Sequence, residues 1–228
     1  MRAKRHDIEF LICLIVMLAL IFLTVFSLRA RILYRTYNDN GETKALVYDV
    51  TGNLGSYDIK TEYKNYEVNM IGERAFLSKS HLRNVSLPET IEKIGKLAFS
   101  ECSRLEVINL ENVLEIETHA FSYCSSLDNI TLNVEEINSS TFFKATSLKN
   151  ISLNNTKRIY SFAFAYTSIE ELVLPSTVNI ATGLADGSFY YMESLTKISV
   201  YSTTLKTLIE NNYSKYLNKE GVEIEVIE

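Results

Sequence analysis

The fold is decided by one stretch of sequence, Ile94-Gly-Lys-Leu-Ala-Phe99-Ser-Glu-Cys102-Ser-Arg-Leu105-Glu-Val-Ile108-Asn-Leu110. Its apolar residues fall at two spacings, five residues from Ile to Phe and then Leu-x-x-Ile-x-Leu. Side chains alternate between the two faces of a strand, so Ile108 and Leu110 point to one side and Asn109 to the other. The stretch therefore predicts a short strand with one buried face, which a single copy cannot cover.

The same pattern occurs six times between Ile71 and Val200, at intervals of 21–26 residues. The sixth copy departs from it by an insertion, Thr182–Ser188, ahead of its Phe. A repeat of this period indicates a solenoid in which every copy forms one rung and stacks on its neighbours. We expect parallel strands about 4.8 Å apart. We also expect a buried column of the repeated aromatic residues, which are Phe76, Phe99, Phe121, Phe142, Phe164 and Phe189.

The unit Ile-Gly-x-x-Ala-Phe-x-x-Cys-x-x-Leu-x-x-Ile-x-Leu resembles the BspA-like class of leucine-rich repeat proteins. It is almost complete from Ile94 to Leu110, and the resemblance covers residues 68–200. The resemblance implies a curved right-handed solenoid on a cell surface, which binds proteins or host matrix and carries no catalytic residues. The expected fold is thus a β-rich leucine-rich repeat solenoid of six rungs with parallel strands.

The N-terminus predicts a membrane anchor. Residues 10–28 contain no charge over 19 positions, which at about 1.5 Å per residue spans the hydrocarbon core of a bilayer. They follow a short tail, residues 1–9, and precede a juxtamembrane linker, residues 29–44. A cleaved signal peptide is the alternative, although its apolar region is usually about 7–15 residues long.

Membrane sidedness does not follow from the flanking charges. Three basic residues lie on each side of the apolar segment, so the positive-inside rule gives no orientation. The short tail and the resemblance both favour a repeat domain outside the cytoplasm. We expect a single-pass membrane protein, or a secreted one if the segment is cleaved.

Both ends of the repeat region are expected to be capped. Residues 45–67 alternate in polarity around Gly52-Asn53 and Gly55, which predicts an N-terminal hairpin. In residues 201–228, helical spacing after Ser202 is followed by alternation from Val222 to Val226. This predicts a C-terminal cap made of a helix and a final strand edged with glutamates, which discourages further pairing.

Charge and motifs argue against several function classes. The chain has a net charge of −5, and an acidic surface repels phosphate, so nucleic acid is an unsuitable partner. There are three histidines and no catalytic triad order, glycine-rich phosphate loop or HExxH motif. We therefore expect no enzyme activity, no cofactor and no metal site.

The cysteines leave two alternatives. Cys102 and Cys124 occupy the same position of successive rungs, three residues after the Phe, whereas Cys13 lies in the apolar segment. Stacked neighbours are within the Cα separation of about 4.4–6.8 Å that a disulfide needs. The same position is Lys79, Ala145, Thr167 and Met192 in other rungs, which favours a buried structural thiol over a bridge.

Two surfaces are candidates for binding. The first is the strand face, where small polar residues point outward in the central rungs; we single out Asn109, Thr131 and Ser152 with the flanking Asp128 and Lys149. The second is the aromatic series Tyr123, Tyr166 and Tyr191, each two residues after its Phe and interrupted by Lys144. Surface tyrosines are favoured interface anchors.

Two functions remain open at this point. One is a surface-anchored module that binds a protein or glycan without covalent chemistry. The other is a structural spacer or non-catalytic subunit of a membrane complex, with contacts through the anchor or the caps.

Overall fold

The computed structural model describes residues 15–18, 31–179 and 181–228. Most of the predicted anchor, residues 10–28, lies outside these ranges, as does Ile180 of the sixth repeat. Residues 15–18 form one helical turn with exposed side chains. No helix within the described ranges is both long and apolar enough to cross a membrane.

Two columns of short parallel strands build the solenoid. The first strand column precedes the phenylalanine turn in the rungs that have one, and contains β2 (Glu42–Thr51), β5 (Tyr66–Ile71), β7 (Lys93–Ile94), β9 (Glu115–Ile116), β11 (Glu136–Ile137) and β13 (Arg158–Ile159). The second strand column contains β3 (Ser56–Asp58), β6 (Asn84–Ser86), β8 (Val107–Ile108), β10 (Asn129–Leu132), β12 (Asn150–Leu153), β14 (Glu171–Leu174), β15 (Lys197–Val200) and β16 (Glu223–Val226).

Equivalent residues of successive rungs pair in register, which confirms the predicted parallel strands. In the first strand column Ile71 pairs with Ile94 and Ile94 with Ile116. In the second, Ile130 pairs with Ile151. The prediction of six rungs is wrong, because within residues 31–179 and 181–228 the second strand column has eight strands and the solenoid has about eight turns.

The additional N-terminal rung replaces part of the predicted cap. Residues 45–47 of β2 pair in parallel with β5, and β3 pairs in parallel with β6, so residues 45–58 already form a rung. The predicted hairpin around Gly52-Asn53 is therefore wrong. The hairpin lies earlier, where β1 (Arg31–Asp39) pairs antiparallel with β2, in the segment expected to be a linker. Its tip is Asn40-Gly41, both at positive φ, as a tight two-residue turn requires.

A smaller hairpin lies between the first two rungs. The strand β4 (Glu62–Tyr63) pairs antiparallel with the start of β5 through Lys64 and Asn65, which also have positive φ. The ring of Tyr63 stacks on Tyr34 of β1 at 5.3 Å. This contact joins the N-terminal hairpin to the first rung.

The C-terminal cap has the predicted helix and strand. Helix α1 (Thr203–Asn211) begins after Ser202, whose hydroxyl accepts a hydrogen bond from the Leu205 amide, and α2 (Tyr213–Tyr216) follows it. The segment supplies acceptors to the preceding rung, because the Phe189 amide donates to the Tyr216 carbonyl at 3.0 Å. The last strand, β16, pairs in parallel with β15 as expected.

The repeated phenylalanines form the predicted buried column. Phe76, Phe99, Phe121, Phe142 and Phe164 stack with centroid separations of 4.8–5.8 Å and interplanar angles of at most 17°. All are completely buried. The backbone amides of the first four also reach the next rung; Phe121, for example, donates to the Thr141 carbonyl at 2.9 Å. Stacking and hydrogen bonding therefore fix the same spacing between rungs.

The turns around the phenylalanines contain two left-handed residues each. They lie two residues before and two residues after the Phe, as His119 (φ 59°) and Tyr123 (φ 63°) do around Phe121. This conformation costs about 1–2 kcal/mol for a residue with a side chain. The amides of these residues donate to the following rung, as Glu101 does to Ser122 at 2.8 Å, which offsets that cost.

Candidate functional site: the aromatic ridge and its neighbouring faces

Asn109 lies on the strand face, but its amide is engaged within the fold. Its Oδ1 accepts from the Leu87 amide and its Nδ2 donates to the Leu87 carbonyl, both at 2.8 Å. The side chain therefore bonds to the backbone of the neighbouring rung just beyond Val85 and Ile108, the last pair in the strand register. Both amide atoms already have a partner, which leaves Asn109 less to offer a ligand than its exposure suggests.

The other four strand-face residues lie together on the next two rungs. Thr131 pairs with Ser152 in the strand register. Asp128 and Lys149 are exposed and line a shallow cavity of about 350 Å³. Ser152 borders a second cavity of about 440 Å³ that also contains the exposed side chains of Val173 and Tyr201. The structure therefore brings these residues to one surface.

The tyrosines at the Phe+2 position belong to a larger group of rings. The ring centroids of Tyr166 and Tyr191 are 5.0 Å apart at an interplanar angle of 4°. Three further aromatic residues join them, each 5.4–6.2 Å from a neighbouring ring: Phe143, Phe162 and Tyr190. We call the aromatic ridge the following set: Tyr123, Phe143, Lys144, Phe162, Tyr166, Tyr190 and Tyr191.

Lys144 does not interrupt this surface, contrary to the sequence interpretation. Its ammonium nitrogen lies over the rings of Tyr123 (5.1 Å), Phe143 (5.5 Å) and Tyr166 (5.7 Å). It therefore takes the place that a stacked ring would have between two tyrosines. The attraction of a cation to ring faces is worth about 0.5–1 kcal/mol at an exposed site and joins the two halves of the ridge.

The ridge remains accessible although its rings touch. The exposed fraction is 43% for Tyr123, 38% for Tyr166 and Tyr191, and 37% for Phe162. Four large aromatic side chains at one corner form the kind of exposed patch that marks an interaction surface. Phe143, Phe162 and Tyr190 were not singled out from the sequence, because only the left-handed turns bring them beside the Phe+2 column.

A charged groove crosses the outer face of the first strand column, and sequence reasoning missed it. Its cavity of about 820 Å³ is lined by Leu114, Glu115, Asn133, Glu135, Glu136, Asn138, Asn155, Lys157 and Thr177. The glutamates are paired along the ladder with basic residues of adjacent rungs, as Glu136 is with Arg158 at 2.8 Å. The signal was the residue directly before the Ile, which is Lys93, Glu115, Glu136 and Arg158 in four successive rungs, so that each of these glutamates has a basic neighbour in the column.

Lys93 shows how these pairs act on ionisation. Burial is the largest single influence and lowers its pKa, but hydrogen bonds to Glu115 at 2.8 Å and Glu117 at 2.7 Å together raise the pKa above its ordinary value. The groove therefore holds neutralised pairs. Such pairs connect neighbouring rungs.

The two cysteines of the repeats are free, buried thiols. Cys102 donates to the Phe76 carbonyl at 3.0 Å and Cys124 to the Phe99 carbonyl at 3.1 Å. Burial raises the pKa of Cys102 to about 12 and that of Cys124 well above its ordinary value. The prediction of a structural thiol rather than a bridge is confirmed.

His119 is a part-buried histidine in the turn before Phe121. Its Nδ1 lies 3.1 Å from the Ser122 hydroxyl, and burial, aided by Lys96, lowers the pKa of the ring. Throughout residues 31–179 and 181–228, no three His, Cys, Asp or Glu side chains are arranged to hold a metal ion.

The sequence profile of the BspA type leucine rich repeat region matches residues 69–196 and 157–225, with six copies. The chain is a BspA-type leucine-rich repeat protein. No curated protein sequence matches it.

Solved structures similar to this BspA-type protein support the fold. The pneumococcal vaccine antigen PcpA is 22% identical with a TM-score of 0.64, over 85% of this chain and 48% of that one. A leucine rich cell surface protein from Faecalibacterium prausnitzii is 23% identical with a TM-score of 0.57, over 74% and 55%. The T. pallidum leucine rich repeat protein is 22% identical with a TM-score of 0.54, over 73% and 68%. This chain thus spans about half the length of the first two.

The cysteines of the BspA-type repeats give a chemical test of the packing. A thiol reacts as its thiolate, so buried thiols of raised pKa should resist alkylation. We expect iodoacetamide at about pH 8 to leave Cys102 and Cys124 unmodified in the folded chain and to modify both in urea. Peptide mapping by mass spectrometry reads each site separately from Cys13.

The same thiols predict a direction of pH dependence. Because the folded-state pKa of each thiol lies above the unfolded value of about 8.5, the unfolded chain loses its thiol protons first as pH rises. The free energy of unfolding should therefore have its full contribution from these thiols below about pH 8.5 and should fall as pH rises further. Rapid alkylation of either thiol in the folded chain would contradict the packing of the Phe column described above.

Proposed function

We propose that this chain is a cell-surface binding protein without catalytic activity. On this proposal residues 10–28 hold it in a membrane and the rungs lie outside the cytoplasm. Membership of the BspA-type family supports the proposal, and the similar F. prausnitzii protein is described as a cell surface protein. The partner would be a protein or glycan bound without covalent chemistry.

The observation that carries this proposal is the aromatic ridge. Tyrosine and phenylalanine contribute large contact areas and lose little conformational freedom, so they dominate the binding energy of many interfaces. Here the rings are already held by their neighbours and by the left-handed turns beneath them. A preorganised surface lowers the ordering cost of association.

The strand face stays a second candidate surface. It is supported by the cavity where Ser152 meets the exposed side chains of Val173 and Tyr201. The spacer function is the remaining alternative, in which neither surface has a ligand. We place the ridge first because it combines exposed aromatic area with tyrosine hydroxyls that have no hydrogen-bond partner within the described residues, those of Tyr123, Tyr166 and Tyr191. On the strand face, by contrast, the side-chain amide of Asn109 is already hydrogen-bonded to Leu87.

The ridge proposal predicts a selective loss of binding. The full chain, purified in detergent, would be used to select ligands from a phage-displayed library of short random peptides and from a glycan array. We expect Tyr166→Ser combined with Tyr191→Ser to weaken binding of the selected ligands at least about thirtyfold, which corresponds to an interface hot spot.

The matched control is Thr131→Arg combined with Ser152→Arg on the strand face. Both pairs of positions are at least partly exposed, so each variant should stay within about 1 kcal/mol of the parent in unfolding free energy. If the ridge variant binds like the parent and the strand-face variant loses binding, the ligand site lies on the strand face instead. If the parent selects no ligand at all, the spacer function is favoured.

Anchoring has a separate test. We expect the mature protein to retain residues 10–28, and protease added to intact cells to remove the chain beyond Arg35, because 19 uncharged residues exceed the core of a usual signal peptide. N-terminal sequencing of the mature protein decides between the two alternatives. A mature chain that begins at Leu28 would mean that the product is secreted.

A further inference from the structure

The aromatic ridge has a cationic centre without a carboxylate partner. Among the described residues, the Lys144 ammonium lies over three aromatic rings and has no ion pair or hydrogen bond with another side chain. The preceding acid in the same column, Glu101, lies two rungs away and accepts a hydrogen bond from the Ser78 hydroxyl at 2.7 Å. A half-buried ammonium among apolar rings therefore leaves its charge available to an anion that approaches the ridge.

The faces of the central rings are occupied within the ridge. Tyr166 has the Lys144 ammonium over its ring, and it stacks on Tyr191 at 5.0 Å. Tyr191 is also stacked near Phe162, at 6.1 Å. Rings stacked along the solenoid axis direct their edges toward solvent. The stacked faces of Tyr166 and Tyr191 are therefore not free for a sugar ring, whereas a protein segment can pack against the exposed edges.

The exposed edges have the same electrostatic preference as Lys144. The edge of an aromatic ring is the positive part of its quadrupole. Within the described chain the hydroxyl of Tyr190 donates to the Ser214 carbonyl at 2.6 Å, but no such bond engages the hydroxyls of Tyr123, Tyr166 and Tyr191. Ring edges, phenol donors and one ammonium are together complementary to a carboxylate that is surrounded by apolar side chains.

The size of the ridge limits the partner. It spans four successive rungs, from Tyr123 to Tyr191, which at about 4.8 Å per step is roughly 15 Å. An extended peptide rises about 3.3 Å per residue, so about five residues would cover the ridge. This is enough for one acidic residue at Lys144 with apolar residues on both sides.

We propose that the aromatic ridge binds a protein segment in which an aspartate or glutamate lies between large apolar side chains, with Lys144 pairing with the carboxylate. The inference rests on the proposed function and assigns the chemical class of its partner. In this arrangement the rings provide the contact area, and Lys144 determines which segments bind.

The test uses the full chain in detergent and a phage-displayed library of short random peptides. We expect the peptides enriched on the parent chain to carry an acidic residue flanked by Leu, Ile, Phe or Tyr. Lys144→Met keeps most of the side-chain length and removes the charge, so it should weaken binding of these peptides about tenfold and remove the acidic preference in a fresh selection. Lys144→Arg should restore both.

Lys60→Met, at an exposed position outside both candidate surfaces, is the matched control and should bind like the parent. Added salt should weaken the parent but not Lys144→Met, because only the parent makes the ion pair. The inference is overturned if ridge-dependent peptides show no excess of acidic residues, or if only acidic glycans are retained. If no selected ligand depends on Tyr166 and Tyr191 for its binding, the proposed function of the ridge is itself overturned.

Discussion

The spacing between rungs is the constraint on which the rest of this structure depends. It is set twice, by backbone amides that donate from one turn to the next and by phenylalanine rings that stack 4.8–5.8 Å apart. Both require that equivalent residues lie directly above one another. A sequence that satisfies this requirement at one rung must repeat it at the next, which explains why the Ile, Phe and Leu positions recur with so little variation.

The surfaces follow from the same constraint. Because equivalent positions stack, any residue placed outside the core is presented in a column. Opposite charges that are neighbours in the column before each Ile, such as Glu136 and Arg158, form the ion pairs of the groove, and residues at the Phe+2 position form the centre of the aromatic ridge. The left-handed backbone at that position turns the side chain outward. The conformation that costs free energy is thus the one that exposes the ridge residues to solvent.

The sequence predicts the central rungs well, because each contains the complete apolar pattern. It fails at the ends, where the strands persist but the Ala-Phe turn is absent: Gly52–Gly55 replaces it in the first rung, and α1 replaces it in the last. Asn40-Gly41 was the unused signal for the N-terminal hairpin. The site was less predictable. That Lys144 binds ring faces, and that Asn109 is engaged by Leu87, depends on side-chain geometry that residue spacing does not specify.

Hydrogen exchange of the full chain, measured by mass spectrometry on the parent and on Phe121→Ala, tests the dependence on rung spacing most directly. Removal of a buried phenylalanine costs about 3–5 kcal/mol, so exchange should accelerate by at least about a hundredfold. The account predicts this acceleration also in the adjacent turns around Phe99 and Phe142, while Val107→Ala, at an exposed position, leaves exchange unchanged. Acceleration confined to the turn of residue 121 would contradict it.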